Sequence, residues 1–194
     1  MQISEQALVL SEQEKLARLR LIRTENVGPV TFFRLLERYG NARLALDALP
    51  GLARNGGRSK ALKVCPQSLA EDEIANIRSL GADMVFWGEA AYPPLLAHIE
   101  DPPPLLFVRG HTHLLCKKAV ALVGSRNASI NGRRFAESMA ARLGAAGYLV
   151  VSGMARGIDT AARPFAARAT SDIPFQSGLS GSSAILIADR KSVV

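Results

Sequence analysis

Ala119-Val120-Ala121-Leu122-Val123-Gly124-Ser125-Arg126-Asn127 and, further on, Tyr148-Leu149-Val150-Val151-Ser152-Gly153-Met154-Ala155-Arg156-Gly157-Ile158-Asp159 are the stretches that decide the fold. Each is a short apolar run that breaks on glycine, a hydroxyl residue and arginine. Such continuous runs read as strands buried on both faces. Between them a helix is predicted from about Asn131 to Ala146, with Phe135, Met139 and Leu143 on one apolar face and Gly147 as its stop. Ile158-Asp159 opens a further helix. Strand, turn, helix, strand, turn, helix is a βαβα unit, with its two strands parallel.

Working towards the N-terminus, Leu105–Val108 and Met84–Trp87 read as two more strands. Tyr92-Pro93-Pro94 starts a short turn or helix, and Asp101-Pro102-Pro103-Pro104 is a rigid connector because proline fixes φ. Residues 1–67 have a different character. Ser11 and Glu14 form a capping-box pattern ahead of Leu16, Leu19 and Ile22 at helical spacing. Asn26-Val27-Gly28-Pro29 breaks that helix and starts another, carrying Phe32, Leu35, Leu36 and Tyr39 and ending at Gly40. Asn41 caps a third helix through Leu49, stopped by Pro50-Gly51. Residues 52–67, with Gly56-Gly57, suit a linker. Ser68 and Glu71 repeat the capping-box pattern for a helix that carries Ile74 and Ile77 to Gly81. Helix, Val-Gly-Pro turn, helix is a helix-hairpin-helix or SAM-like pattern. Its turn has two readings, plain packing and contact of its N–H groups with a DNA phosphate.

The expected architecture is therefore α/β: a helical SAM-like domain over 1–67, then a partial Rossmann-like parallel sheet over 68–163. With 194 residues and 48% hydrophobic content, the chain has ample material for a core. No apolar run approaches the roughly 20 residues of a membrane helix. Met1–Gln6 lacks the basic start and apolar stretch of a signal peptide. Cys65 and Cys116 stand apart, which points to a reducing cytoplasm rather than a disulfide framework.

The net charge of +7 is unevenly placed. Residues 1–110 carry 13 basic and 13 acidic side chains. Residues 111–163 carry eight basic ones (Lys117, Lys118, Arg126, Arg133, Arg134, Arg142, Arg156 and Arg163) against Glu137 and Asp159. Concentrated positive charge draws polyanions, nucleic acid first among them.

In open α/β sheets, ligands bind beyond the carboxyl ends of the strands. Here those ends are Gly124-Ser125-Arg126 and Ser152 to Gly157. Glycine lets a phosphate approach the backbone, and helix-start N–H groups favour an anion. Ser125 and Ser152 can donate from their hydroxyls, and Arg126 and Arg156 can each grip phosphate oxygens bidentately. The candidate nucleic-acid-binding residues are Gly124, Ser125, Arg126, Arg133, Ser152, Gly153, Arg156, Gly157 and Asp159, the last also readable as a helix cap. No G-x-G-x-x-G or G-x-x-x-x-G-K-[ST] occurs, so no dinucleotide or P-loop cofactor is expected. His111, His113 and Cys116 match no zinc spacing, so no metal is expected. No nucleophile–base pair accompanies Asp159, and His98 has no obvious partner, so no catalytic residues are assigned.

These motifs resemble those of the DNA-processing A (DprA/Smf) family. The resemblance is carried by Ala-Leu-Val-Gly-Ser-Arg at 121–126, Gly132-Arg133-Arg134 and Val-Ser-Gly-Met-Ala-Arg-Gly-Ile-Asp at 151–159. Tyr92-Pro93-Pro94-Leu95-Leu96 and Pro103 to Gly110 add to it, and it covers about residues 12–163. It implies a SAM-like domain followed by an extended Rossmann fold, and binding of single-stranded DNA. It also implies loading of the RecA recombinase during natural transformation, homodimerisation through the Rossmann domain, and no enzymatic activity. By motif match, Gly124, Ser125, Arg126, Gly153, Arg156, Gly157 and Asp159 carry the nucleic-acid pocket. An alternative is a Rossmann-like nucleoside-monophosphate hydrolase of the lysine decarboxylase-like group. Such enzymes rely on a Pro-Gly-Gly-x-Gly-Thr type motif, which this chain lacks.

The match stops near Arg163, where the family usually has His, and Pro164 follows where a helix should continue. Residues 164–194 read as an aberrant tail, Ser- and Gly-rich over 171–183. Asp189 to Val194 is what the codons GAT CGG AAG AGC GTC GTG encode, a string resembling a sequencing adapter. The expectation is a frameshifted or mis-assembled gene end, a sheet with missing partners, a weakened dimer and impaired DNA binding.

Overall fold

The computed structural model describes residues 8–55, 63–153, 155–162, 166–170 and 183–188. Four helices lead the chain: α1 (Glu12–Ile22), α2 (Pro29–Tyr39), α3 (Ala42–Asn55) and α4 (Gln67–Ser79). The Ser11 Oγ accepts from the Glu14 N–H at 3.2 Å, capping α1 as its sequence predicts. The other half of the capping box is not made. The Glu14 Oε1 instead accepts from Arg18 Nε and from the Ala42 N–H, each at 3.0 Å, and so caps α3. Gly28 and Pro29 start α2, Gly40 ends it at φ 81°, and the Asn41 Oδ1 takes the Leu44 N–H at 2.9 Å.

Two helix boundaries depart from expectation. α3 runs through Pro50 to Asn55 instead of ending at Leu49. Proline inside a helix costs about 3 kcal/mol. Leu52, beyond it, packs against the helical core, and its burial offsets part of that cost. α4 begins after Pro66, which holds the N-cap position without a side-chain cap, rather than at Ser68, and Gln67 Nε2 donates to Glu71 Oε1 at 2.8 Å. Of the linker expected over 52–67, residues 56–62 lie outside the described residues.

Beyond α4 come β1 (Ala82–Phe86), α5 (Pro94–Ala97), β2 (Leu105–Gly110), a 3₁₀ turn (Thr112–Cys116), β3 (Ala119–Ala121), α6 (Ile130–Ala145), β4 (Leu149–Ser152), α7 (Ile158–Ala162), β5 (Ala166–Thr170) and β6 (Ser183–Ala188). The strands form one sheet in the order β1-β2-β6-β5-β4-β3. β3 and β4 are parallel, with Ala119 opposite Leu149 and Ala121 opposite Val151, as the βαβα reading requires. β2–β6 and β4–β5 are also parallel, whereas β1–β2 and β5–β6 are antiparallel, so the sheet is mixed rather than wholly parallel. The expected shortage of sheet partners is corrected: backbone from 166–170 and 183–188 lies between β2 and β4. Arg163, Pro164, most of the Ser/Gly-rich run and the final residues lie outside the described residues.

β2 is the wall between two cores. Leu105 and Phe107 face the helices, in a cluster with Leu19, Leu21, Ile22, Val27, Phe32, Leu46 and Phe86. Leu106 and Val108 face the other way, against Val85, Tyr92, Leu114 and Leu115. Strand alternation sends neighbouring side chains to opposite faces, so one strand serves both. Arg23 ties α1 to α4 through a two-pronged pair with Glu73, the NH2–Oε1 distance being 2.6 Å.

The third cluster lies under the site, where Ala140, Val150 and Ala162 are buried with Leu122 and Leu143 packed against them. Two expectations fail here. β3 is the sheet's edge, hydrogen-bonded in the sheet to β4 alone, so Ala119, Ala121 and Val123 are exposed instead of buried on both faces. The buried stripe of α6 is Ala136, Ala140 and Gly144, small residues that let the helix approach β4 closely. Phe135, expected in the core, is 65% exposed.

Candidate nucleic-acid interface

Because β3 and β4 are parallel neighbours, their carboxyl ends lie side by side, and the turns that follow them meet. The Ile158 N–H donates to the Ser125 carbonyl at 3.2 Å. Gly157 adopts φ 81°, and any side chain on it would collide with the carbonyl oxygens of Ser125 and Arg126. A Cβ on Gly124 would lie 2.6–3.0 Å from three carbons of the Ile158 side chain. A Cβ on Gly153 would lie 2.8 Å from Asp159 Oδ2. Gly124 and Gly157 thus serve turn-against-turn packing, while Gly153 leaves room for the Asp159 carboxylate of its own turn. The phosphate approach expected of Gly124 and Gly157 is not what fills the space beside them. Ile158 is the wedge of this arrangement. Sequence reasoning missed it, although its place between Gly157 and Asp159 was the available signal.

The polar groups are arranged around that joint. Ser125 Oγ accepts from the Asn127 N–H at 3.2 Å, which leaves its proton to donate outward. Ser152 ends β4, is 2% exposed, and its Oγ has no hydrogen-bond partner among the described residues. A buried hydroxyl without a partner costs about 1–3 kcal/mol. Asp159 is 6% exposed at the start of α7, and Thr160 Oγ1 donates to the Ala155 carbonyl at 2.9 Å, bracing the second turn. Arg126, Arg133 and Arg156 are exposed, and none of the ion pairs among the described residues involves them.

Helix starts contribute less than the sequence suggested. α6 begins at Ile130, after the first turn has closed, and Ser129 Oγ already takes the Gly132 N–H at 3.1 Å. α7 has only five residues, too few for a strong dipole. The site's positive character therefore rests on its arginines.

The other sequence candidates fall elsewhere. Val27 is buried in the helical core and Gly28 caps α2, so packing explains the Val-Gly-Pro turn. The His111 and His113 rings lie 5.5 Å apart, while Cys116 Sγ turns to the Ala90 carbonyl at 3.3 Å. His98 Nδ1 meets the Pro94 carbonyl at 2.6 Å. Among the described residues, no group of three or more His, Cys, Asp or Glu could hold a metal, and no helix is long and apolar enough to cross a membrane.

Two family models match the chain: the DprA-like N-terminal HHH domain over residues 12–76 and the DNA recombination-mediator protein A over residues 83–173. The DNA processing protein DprA of Bacillus subtilis (strain 168) is 33% identical over 87 residues, 44% of this chain and 29% of that protein. Protein Smf of Escherichia coli (strain K12) is 38% identical over 97 residues, 50% of this chain and 25% of that protein. Each match thus spans between a quarter and a third of the relative's own length. The X-ray structure of DprA from Streptococcus pneumoniae shares the fold, with a TM-score of 0.52 at 20% identity over 92% of this chain and 68% of that one. With both of its folded parts matched in this way, the chain belongs to the DprA/Smf family.

Proposed function

We propose that this chain holds single-stranded DNA by its phosphates at the carboxyl ends of β3 and β4, and through that hold delivers the strand to the RecA recombinase during DNA uptake. The observation that carries the reading is the joint between the two turns. It holds Arg126 and Arg156 on neighbouring strand ends, both exposed, beside a buried Ser152 hydroxyl with no partner among the described residues. Arginine suits phosphate because its planar fork matches two oxygens at once. Ser152 and Ser125 add neutral donors. The family's role in DNA processing gives the polyanion its identity, and the resemblance in the motifs favours a single strand. The working form is a homodimer in the cytoplasm, binding without catalysis.

The test is fluorescence anisotropy of labelled oligo-dT titrated with the chain at several salt concentrations, beside the Arg126→Ala/Arg156→Ala double variant. The reading expects binding that falls steeply with salt. The double variant should bind more weakly, with a salt slope lower by about 1.4, at roughly 0.7 per phosphate contact. A folded wild-type chain that leaves oligo-dT free even at low salt overturns it. RecA delivery is tested by the rate of RecA filament growth on the oligonucleotide with and without the chain.

A further inference from the structure

The outer face of α6 extends the strand-end site. Asn131, Phe135, Ser138 and Arg142 recur at helical spacing, forming one stripe, and all four are exposed. Arg134 flanks the stripe and is also exposed. None of the ion pairs among the described residues involves Arg134 or Arg142. At 100° per residue, the helix's one acid, Glu137, sits about 160° round from Phe135 and about 140° from Arg142. The stripe itself is therefore free of negative charge, and Glu137 borders only the flanking Arg134, about 60° away. It begins where the site ends: a Cβ on Gly132, next to Asn131, would lie 3.8 Å from Ile158 Cδ1, and α6 follows closely on the Ser125–Asn127 turn.

We infer that this stripe is a second contact for the same single-stranded DNA, with a base stacked on Phe135 and backbone phosphates paired to Arg134 and Arg142. The inference rests on the function proposed above. Phe135 and Arg142 lie about 10 Å apart along the helix. An aromatic ring among cations is the arrangement that suits an unpaired strand, whose bases expose their faces while its phosphates stay in reach. A second copy of the chain fits the stripe less well. One phenylalanine offers at most about 250 Å² of apolar surface, against roughly 800 Å² per partner in a stable interface. Two such stripes would also bring like charges together.

The experiment compares wild type, Phe135→Ala, Phe135→Trp, Arg142→Ala and the Arg126→Ala/Arg156→Ala double variant, each titrated with oligo-dT across salt and weighed by sedimentation velocity. Phe135→Ala should weaken binding about fivefold or more with little change in salt slope. Arg142→Ala should lower the slope by about 0.7. The emission of Phe135→Trp should be quenched by oligo-dT beyond any change at Trp87 in the wild type. If the Phe135 and Arg142 variants bind like wild type while the double variant fails, the stripe is overturned and the strand-end site stands. If Phe135→Ala changes the sedimentation coefficient and not the affinity, the face belongs to a second copy and the inference is again overturned. If the wild type does not bind at all, the function itself falls.

Discussion

The amide of Ile158 reaches the carbonyl of Ser125 across 3.2 Å, and this bond fastens together two turns that are 33 residues apart in the chain. Gly157 makes the approach possible, both by its φ of 81° and by having no side chain against the Ser125 and Arg126 carbonyls. Gly157→Ala should cost at least about 1–2 kcal/mol from the backbone conformation alone, with more from the collision. A urea unfolding curve reads this. A midpoint equal to wild type would mean that the turns do not meet as described.

Ser152 separates stability from binding. Its buried hydroxyl has no partner among the described residues, so Ser152→Ala should raise stability, by up to about 1–3 kcal/mol. On the function proposed above, the same change should weaken oligo-dT binding severalfold, because the neutral donor assigned to Ser152 is lost. Equal affinity in the variant would remove Ser152 from the site.

Glu73 is the accepting half of the Arg23 pair, and the Arg23 side chain is only 3% exposed. Removing one partner of a buried pair costs up to about 3–5 kcal/mol. Because the Glu73 side chain is 23% exposed, Glu73→Ala should fall at the lower end, near 3 kcal/mol. Thermal unfolding checks it, and a loss under about 1 kcal/mol would mean that Arg23 is held by its other contacts or by water and not chiefly by Glu73.

Burial, and then the neighbouring Glu73, push the Cys65 thiol above its ordinary 9.0; burial alone raises that of Cys116. Only Cys116 is exposed. Iodoacetamide at neutral pH should therefore add one adduct by intact mass, at Cys116, and a second only in urea. Two adducts on the native chain would contradict the packing around Cys65. The pH effect has a definite sign. Near pH 9.0 the unfolded chain releases the Cys65 proton while the folded chain keeps it, so stability falls as pH rises through that range. In Cys65→Ala that part of the fall should vanish.

What was legible in the sequence was local. Ser11, Gly28-Pro29, Gly40 and Asn41 punctuate helices through bonds made within a few residues, and they do so here. Phe32, Leu35, Leu19 and Ile22 announced their buried faces by spacing. The parallel pairing of β3 and β4, and the meeting of the turns that follow them, accord with the βαβα pattern. What was hidden depended on distant neighbours. Ala119 to Val123 is apolar enough for a central strand, but an edge is defined by what is missing beside it. Glu14 matched a capping box, yet Ala42 offered it a better-placed amide. Phe135 looked like core because periodicity marks a face and cannot say which face the sheet covers. Ala136, Ala140 and Gly144 won that contact by being small.

β2 carries a consequence for how the molecule comes apart. Leu105 and Phe107 belong to one core and Leu106 and Val108 to the other, with all four side chains at 2% exposure or less. A strand clamped from both sides cannot release one face while the other holds. The helical half and the sheet half are therefore welded into a single melting unit, and in a hydrogen–deuterium exchange experiment the β2 amides should be among the last to open, at the free energy of global unfolding.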